Sequence, residues 1–168
     1  VKDISMENLK KIFLGDVTNW KELGGKDQKI VILNRAAGSG TRATFEKWVL
    51  GDKTAIRAQE QDSSGMVRSI VSDTPGAISY TAFSYVTDEV ATLSIDGVQP
   101  TDENVMNNKW IIWSYEHMYT RKNPSDLTKE FLDFMLSDDI QERVIGQLGY
   151  IPVSKMEIER DWQGNVIK

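Results

Sequence analysis

Residues 31–48 read VILNRAAGSGTRATFEKW. The segment KIVILN (29–34) is a nearly continuous apolar run, the pattern of a strand buried on both faces of a parallel sheet. Arg35 follows it directly. Gly38-Ser39-Gly40-Thr41 then turns the chain into a helix, on which Phe45, Trp48 and Val49 recur at helical spacing until Gly51-Asp52 ends it. Strand, small-residue turn and helix together predict a βα unit. In open α/β sheets, ligands bind outside the carboxyl ends of strands, where such turns lie.

The residue types in the turn suit an anion. The first N–H groups of a helix have no intrahelical partner, and the helix dipole adds partial positive charge there. Gly38 and Gly40 permit tight backbone geometry and leave no Cβ in the way of a ligand. Ser39 and Thr41 offer hydroxyl donors, and Arg35 offers a planar fork that matches a tetrahedral oxyanion. A bare GSGT reads first as an ordinary turn with Ser39 or Thr41 capping the helix. The arginine four residues before the serine, just past a buried strand, favours the anion site. Arg42 reads as a solvated arginine on the helix surface, with an approach to the anion as the lesser reading.

Working outward, SMENLKKIFL (5–14) predicts a short helix with Ser5 as N-cap, Leu9, Ile12 and Phe13 on one face and Gly15 as its stop. Trp20 and Leu23, in the turn-rich NWKELGGKD (19–27), are expected to fold back on it. SSGMV (63–67) opens a helix over about 63–72, capped by Ser63 or Ser64, with Met66, Val67, Ile70 and Val71 facing inward. Ser64 is a candidate for lining the same cleft, although capping alone explains it. AISYTAF (77–83) reads as a strand, TLSIDGVQP (92–100) as a hairpin around Asp96-Gly97, and WIIWSYEHMYT (110–120) as the longest strand candidate. Asn123-Pro124-Ser125 starts a helix with Leu127, Phe131, Phe134 and Met135 on one face. A second helical piece runs from about 138 to 148, Gly149 stops it, and the tail from 150 is irregular. Helices alternating with strands predict an α/β fold with a mainly parallel sheet.

Composition narrows the function. The chain of 168 residues, 40% apolar and 27% charged, suits one globular domain. A net charge of −5 argues against a nucleic-acid partner, and no apolar run approaches the roughly 18–20 residues that span a bilayer. With no cysteine and one histidine, His117, neither disulfides nor a transition-metal site are expected, and His117 reads as a partly buried strand residue. The tryptophans and the pair Tyr115/Tyr119 read as core. The turn lacks the lysine of a nucleotide P-loop and is not a nucleophile elbow. No catalytic residue or cofactor is expected.

With these residues assembled, the chain resembles the phosphate-binding components of bacterial phosphate ABC importers, a periplasmic-binding-protein fold with two crossovers. LKKIFLGDVTNWKELGG resembles that family's helix-and-turn segment, VILNRAAGSGTRATF its anion-binding signature, and PGAISYTAFSY its "GAIGY" strand. LSIDGVQPTDENV resembles its hairpin and FLDFMLSDDIQERVIGQLGYIPV its C-terminal helix and closing turn. WIIWSYEHMYT departs from the family's "YPLSRPLY"-like stretch. The resemblance implies phosphate binding by Arg35, Ser39, Gly40 and Thr41, with Gly38, Arg42 and Ser64 as secondary candidates.

It further implies an extracytoplasmic, lipoprotein-anchored or periplasmic protein that hands inorganic phosphate to a membrane permease. Residues of about 5–110 would form the family's second lobe, and about 110–168 the crossover and C-terminal segment. The chain opens on Val1, so an excised piece of a longer protein is expected, without the N-terminal lobe and its anchor. That missing lobe would carry the carboxylate that accepts the proton of hydrogen phosphate and repels sulfate. Sulfate or molybdate remains the alternative ligand, and a phosphoryl-transfer or phosphoesterase activity the alternative in the enzyme class.

Overall fold

A computed structural model describes residues 1–168. Five short strands, β1 (Asp3–Ile4), β2 (Val31–Arg35), β3 (Gln59–Gln61), β4 (Ala77–Ile78) and β5 (Ser94–Ile95), are accompanied by five α-helices, three of which alternate with β1–β4 and two of which follow β5. The helices are α1 (Met6–Leu14), α2 (Gly40–Phe45), α3 (Ser64–Asp73), α4 (Asp102–Met106) and α5 (Asp126–Met135). All strand pairing is parallel. β2 lies between β3 and β4, with Leu33 opposite Gln59 and Ile32 opposite Ile78, while β1 pairs with β5. Parallel neighbours need helical crossovers, and α2 and α3 supply them from β2 to β3 and from β3 to β4.

Local chemistry sets the ends of the elements. Ser5 Oγ accepts the Asn8 amide at 3.1 Å to cap α1, and Gly15 closes it at φ 83°. Asn19 and Glu22 form a reciprocal capping box on the following turn. Trp20 and Leu23 pack back on the core as expected, and the Trp20 indole N–H reaches the Gly76 carbonyl at 3.0 Å. α2 continues as a wider helical turn over Glu46–Leu50. The hairpin forms at Asp96 and Gly97, both at positive φ, although its first strand pairs chiefly with β1.

The core gathers Leu9, Ile12 and Phe13 of α1 with Phe45, Val49 and Leu50 of the second helix and with Ile30, Ile78 and Ile95. Tyr80 stacks on Phe45 at 3.9 Å between ring centroids, and Phe13 tilts against both rings. Of 20 buried residues, only Ile140, Gln141, Pro152 and Arg160 lie beyond residue 105, so the firm core belongs to the first two-thirds of the chain.

Several expectations need correction. The stretch 110–120 is not a strand, because no strand lies beside it to complete its backbone hydrogen bonds. Its alternating aromatics instead pack singly: Trp110 and Ile112 on the core, Trp113 edge-on to Tyr115. His117 is exposed rather than partly buried, and Tyr119 is exposed, not core. Trp162 is exposed as well, whereas the other tryptophans are half-buried. β2 is buried at its carboxyl half but open at Val31, and β4 pairs for only two residues. Met66 points outward, as do Leu127, Phe131 and Phe134 of α5. No helix is long and apolar enough to cross a membrane.

Candidate functional site

β2 carries Arg35 to its carboxyl end, where the side chain is only 7% exposed. The guanidinium donates from Nε to the Gln61 carbonyl (3.3 Å), from Nη1 to Ser64 Oγ (2.8 Å) and from Nη2 to the Asp62 carbonyl (2.7 Å). Every one of these acceptors is a neutral oxygen. A guanidinium has five N–H donors, so with three engaged one remains on each terminal nitrogen. The result is a buried cation without a carboxylate, held in a fixed orientation with part of its fork open.

Asn34 and Tyr80 support it from behind. Tyr80 donates its hydroxyl to Asn34 Oδ1 and accepts the Arg35 amide at 3.4 Å. Burial pushes the Tyr80 phenol above its ordinary pKa, partly opposed by the Arg35 amide and the nearby Arg42 and Arg35 charges.

The turn behaves as the glycines and hydroxyls predict. Gly38 sits at φ 88°, where L side chains are strained, and Ser39 Oγ caps α2 by accepting the Arg42 amide at 3.2 Å. That leaves the Ser39 hydroxyl proton available to a further acceptor. The Gly40 and Thr41 amides donate to no backbone acceptor, as expected for the first turn of a helix. A Cβ added at Gly40 would meet no protein atom within 4 Å, so the space before the helix is open. Ser64, one residue into α3, binds Arg35 directly, while the cap of that helix is Ser63, whose Oγ accepts the Met66 amide. Two helix starts therefore stand at the carboxyl ends of β2 and β3.

Arg42 is not the solvated residue expected. Its side chain is 17% exposed and forms ion pairs with Glu46 at 2.7 Å and Glu60 at 2.8 Å, and Nη1 also donates to the Arg35 carbonyl at 2.8 Å. These two carboxylates, Glu46 first, hold its pKa above the usual arginine value. The structure thus brings Arg35, Ser39, Gly40, Thr41 and Ser64 to one end of the sheet and ties Arg42 into a clamp beside them. Sequence reasoning missed Asn34, Tyr80, Glu60 and the Gln61 and Asp62 carbonyls. Only the polar Asn34 inside an apolar run gave a local signal.

No group of three His, Asp or Glu side chains is placed to hold a metal ion. A cavity of about 810 Å³ lies elsewhere, between β4 and the β5 hairpin. Ile78, Leu93, Ile95, Trp110 and Ile112 line it, and none of the cradle residues does. Its mainly apolar wall has little to offer a small oxyanion.

Comparison with known proteins follows the same lines. The chain is 53% identical over 165 residues to the phosphate-binding protein PstS of Bacillus subtilis, covering 98% of this chain and 55% of that protein. It is 31% identical to PstS of Borreliella burgdorferi, over 91% of this chain and 59% of that protein. A Clostridium perfringens structure described as a phosphate ABC transporter substrate-binding protein with bound phosphate superposes with a TM-score of 0.79 at 37% identity, over 91% of this chain and 64% of that one. An ABC-type phosphate transport receptor from Vibrio cholerae superposes at 0.75 with 29% identity, over 90% of this chain and 64% of that one. The chain therefore spans between half and two-thirds of the length of these relatives. A family model described as the PBP superfamily domain matches residues 1–139, which, with the parallel βα architecture, makes this chain a member of the PBP superfamily.

Proposed function

We propose that residues 1–168 bind inorganic phosphate as one lobe of an extracytoplasmic binding protein that serves an ABC importer. The observation that carries this reading is Arg35. Arg35 is 7% exposed, its guanidinium donates only to neutral oxygens, and it ends the strand that leads into the free first-turn amides of α2, so an anion bound there would supply its countercharge. A tetrahedral dianion fits the open donors, namely two Arg35 N–H groups, the Gly40 and Thr41 amides, and the Ser39 and Thr41 hydroxyls. Gly38 supplies the turn geometry, Ser64 orients Arg35, and Arg42 stays outside the ligand set. The named functions of the relatives point to the same ligand. Delivery to a membrane permease and a lipoprotein or periplasmic setting follow from that kinship as part of the proposal.

The cradle presents donors only, since Glu46 and Glu60 are both tied to Arg42. Those two carboxylates are therefore not free to accept the proton of hydrogen phosphate or to activate a nucleophile. We therefore expect this chain to bind phosphate weakly, to exclude sulfate poorly and to turn over no phosphoester. Calorimetry with phosphate, sulfate and molybdate tests the reading. Arg35→Ala is expected to abolish measurable phosphate binding, a loss of about a hundredfold or more for two charge-assisted bonds. Phosphate binding that survives Arg35→Ala overturns the site, and submicromolar, sulfate-excluding binding overturns the missing carboxylate.

A further inference from the structure

Arg42 touches all three elements that build the cradle. Nε donates to Glu46 Oε1, one turn along its own helix, and Nη1 donates to Glu60 Oε1 on β3 and to the Arg35 carbonyl at the end of β2. The neighbouring Gln61 and Asp62 carbonyls hold the Arg35 guanidinium, and Gln61 also accepts the Ala36 amide at 3.0 Å. Both ends of Arg35, its backbone carbonyl and its guanidinium, are thus referred to the same short stretch of β3 that Arg42 grips. We propose that Arg42 is a positioning residue, a brace that fixes β2 against β3 and sets the aim of Arg35, and that Glu60 is the anchor of that brace. The proposal rests on the anion reading of the Arg35 turn.

Charge and geometry both separate this role from that of a ligand. Arg42 with Glu46 and Glu60 sums to one negative charge, so the group adds no attraction for an anion. Nε and Nη1 are committed to these acceptors and only Nη2 is unengaged, so swinging the side chain toward a ligand would release the Arg35 carbonyl, and β2 would lose its tie at the point where aim matters most. The carbonyl of a strand's last residue, beyond its ladder, is a group that needs such a donor. Lysine cannot substitute, because its three donors share one nitrogen, whereas Glu46 meets Nε and Glu60 and the Arg35 carbonyl meet Nη1.

The test uses Arg42→Lys, Glu60→Ala and the double variant of the 168-residue chain. Phosphate is titrated at about 1 M salt, where the Debye length falls to about 3 Å and removing a distant charge has little effect by itself. In parallel, the Arg35 Nε–H resonance, assigned by its loss in Arg35→Lys, is recorded without ligand. Each single variant is expected to raise the phosphate Kd about tenfold. The double variant should do no worse than the poorer single one, because both remove one brace. The Arg35 Nε–H signal should broaden in all three. Tighter phosphate binding by Glu60→Ala, the sign of a carboxylate competing with the ligand for Arg42, overturns the proposal, and so does an unchanged Kd. Should the unaltered chain bind no phosphate, the phosphate reading falls on its own. The Arg35 resonance then decides, broadening upholding the brace and constancy refuting it.

Discussion

A guanidinium taken out of water without a countercharge costs several kcal/mol, and a fold keeps such a group only if neighbouring dipoles or a ligand offset it. Around Arg35 the dipoles are the Gln61 and Asp62 carbonyls and the Ser64 hydroxyl. Tyr80, behind it, has a consequence that pH reveals. Burial raises its pKa, so the folded state favours the neutral phenol. Between the unfolded value near 10 and the higher folded one, the folded chain therefore binds more protons than the unfolded chain, and stability must fall with rising pH. Tyr80→Phe removes this dependence along with the bonds to Asn34 and Arg35. Thermal melts from about pH 8 to 11 should show the chain more stable than Tyr80→Phe at the lower end, with the gap narrowing above about pH 10. A gap that widens with pH would contradict the assignment. At this scale Arg35 and Ser39 were legible, because strand end and helix cap are written in adjacent residues. The partners of Arg42 and Asn34 were not, since Glu60 lies 18 residues from Arg42 and Tyr80 lies 46 from Asn34, distances only the sheet register closes.

The helix that starts at Gly40 combines two roles at Ser39 that substitution can pull apart. As N-cap, Ser39 lends its oxygen to the Arg42 amide, and in the proposed role its hydroxyl proton would be given to the anion. Aspartate is as good an N-cap and suits the positive end of the helix dipole, yet it has no proton to give and places a charge where the proposed anion would sit. Ser39→Asp should leave the melting temperature within a few degrees of the original, while phosphate affinity falls more than tenfold. Parallel loss of stability and affinity would mean that the residue merely caps. Helix ends such as Ser5, Gly15, Ser39 and Ser125 were legible because caps are local chemistry. The supposed strand at 110–120 was misread because alternation of apolar residues describes a surface, whereas a strand also requires a neighbour, and that requirement is invisible in its own residues. The outward face of α5 fails for the same reason: an apolar stripe predicts burial only where something lies against it.

Across the whole molecule, Arg160 helps join the weakly packed last third to the cradle helix, beside the bonds of Thr44 to Ser114 and of Trp48 to Trp113. Arg160, 8% exposed, lies between the indoles of Trp48 and Trp113, with its guanidinium carbon 4.2 Å and 3.9 Å from the ring centres. Nη1 donates to the Ile111 and Trp113 carbonyls, Nη2 to Asn108 Oδ1, and the Arg160 amide to the Tyr115 hydroxyl. Burial without a carboxylate pushes its pKa down to about 10, which still leaves it charged at neutral pH. Trp48 belongs to the helical turn that extends α2, and its own N–H reaches the Trp113 carbonyl at 3.1 Å. The tail, the 108–115 segment and the cradle helix are therefore pinned at one point. So few residues beyond 105 are buried that little else fixes the segments on either side. Replacing Arg160 with methionine keeps an apolar stem but takes one donor from the Ile111 and Trp113 carbonyls and from Asn108 Oδ1, which keep the Trp113 amide, the Trp48 indole and the Trp113 indole respectively, and removes two cation–π contacts, a cost of about 1–3 kcal/mol. The loss should be local. Amide hydrogen exchange is expected to rise over 108–120 and 150–168, with a red shift of tryptophan emission, while the amides of α1, β2 and α3 keep their protection. Uniform loss of protection across the chain would show that Arg160 supports the core itself, and no change at all would show that the two indoles hold the tail without it.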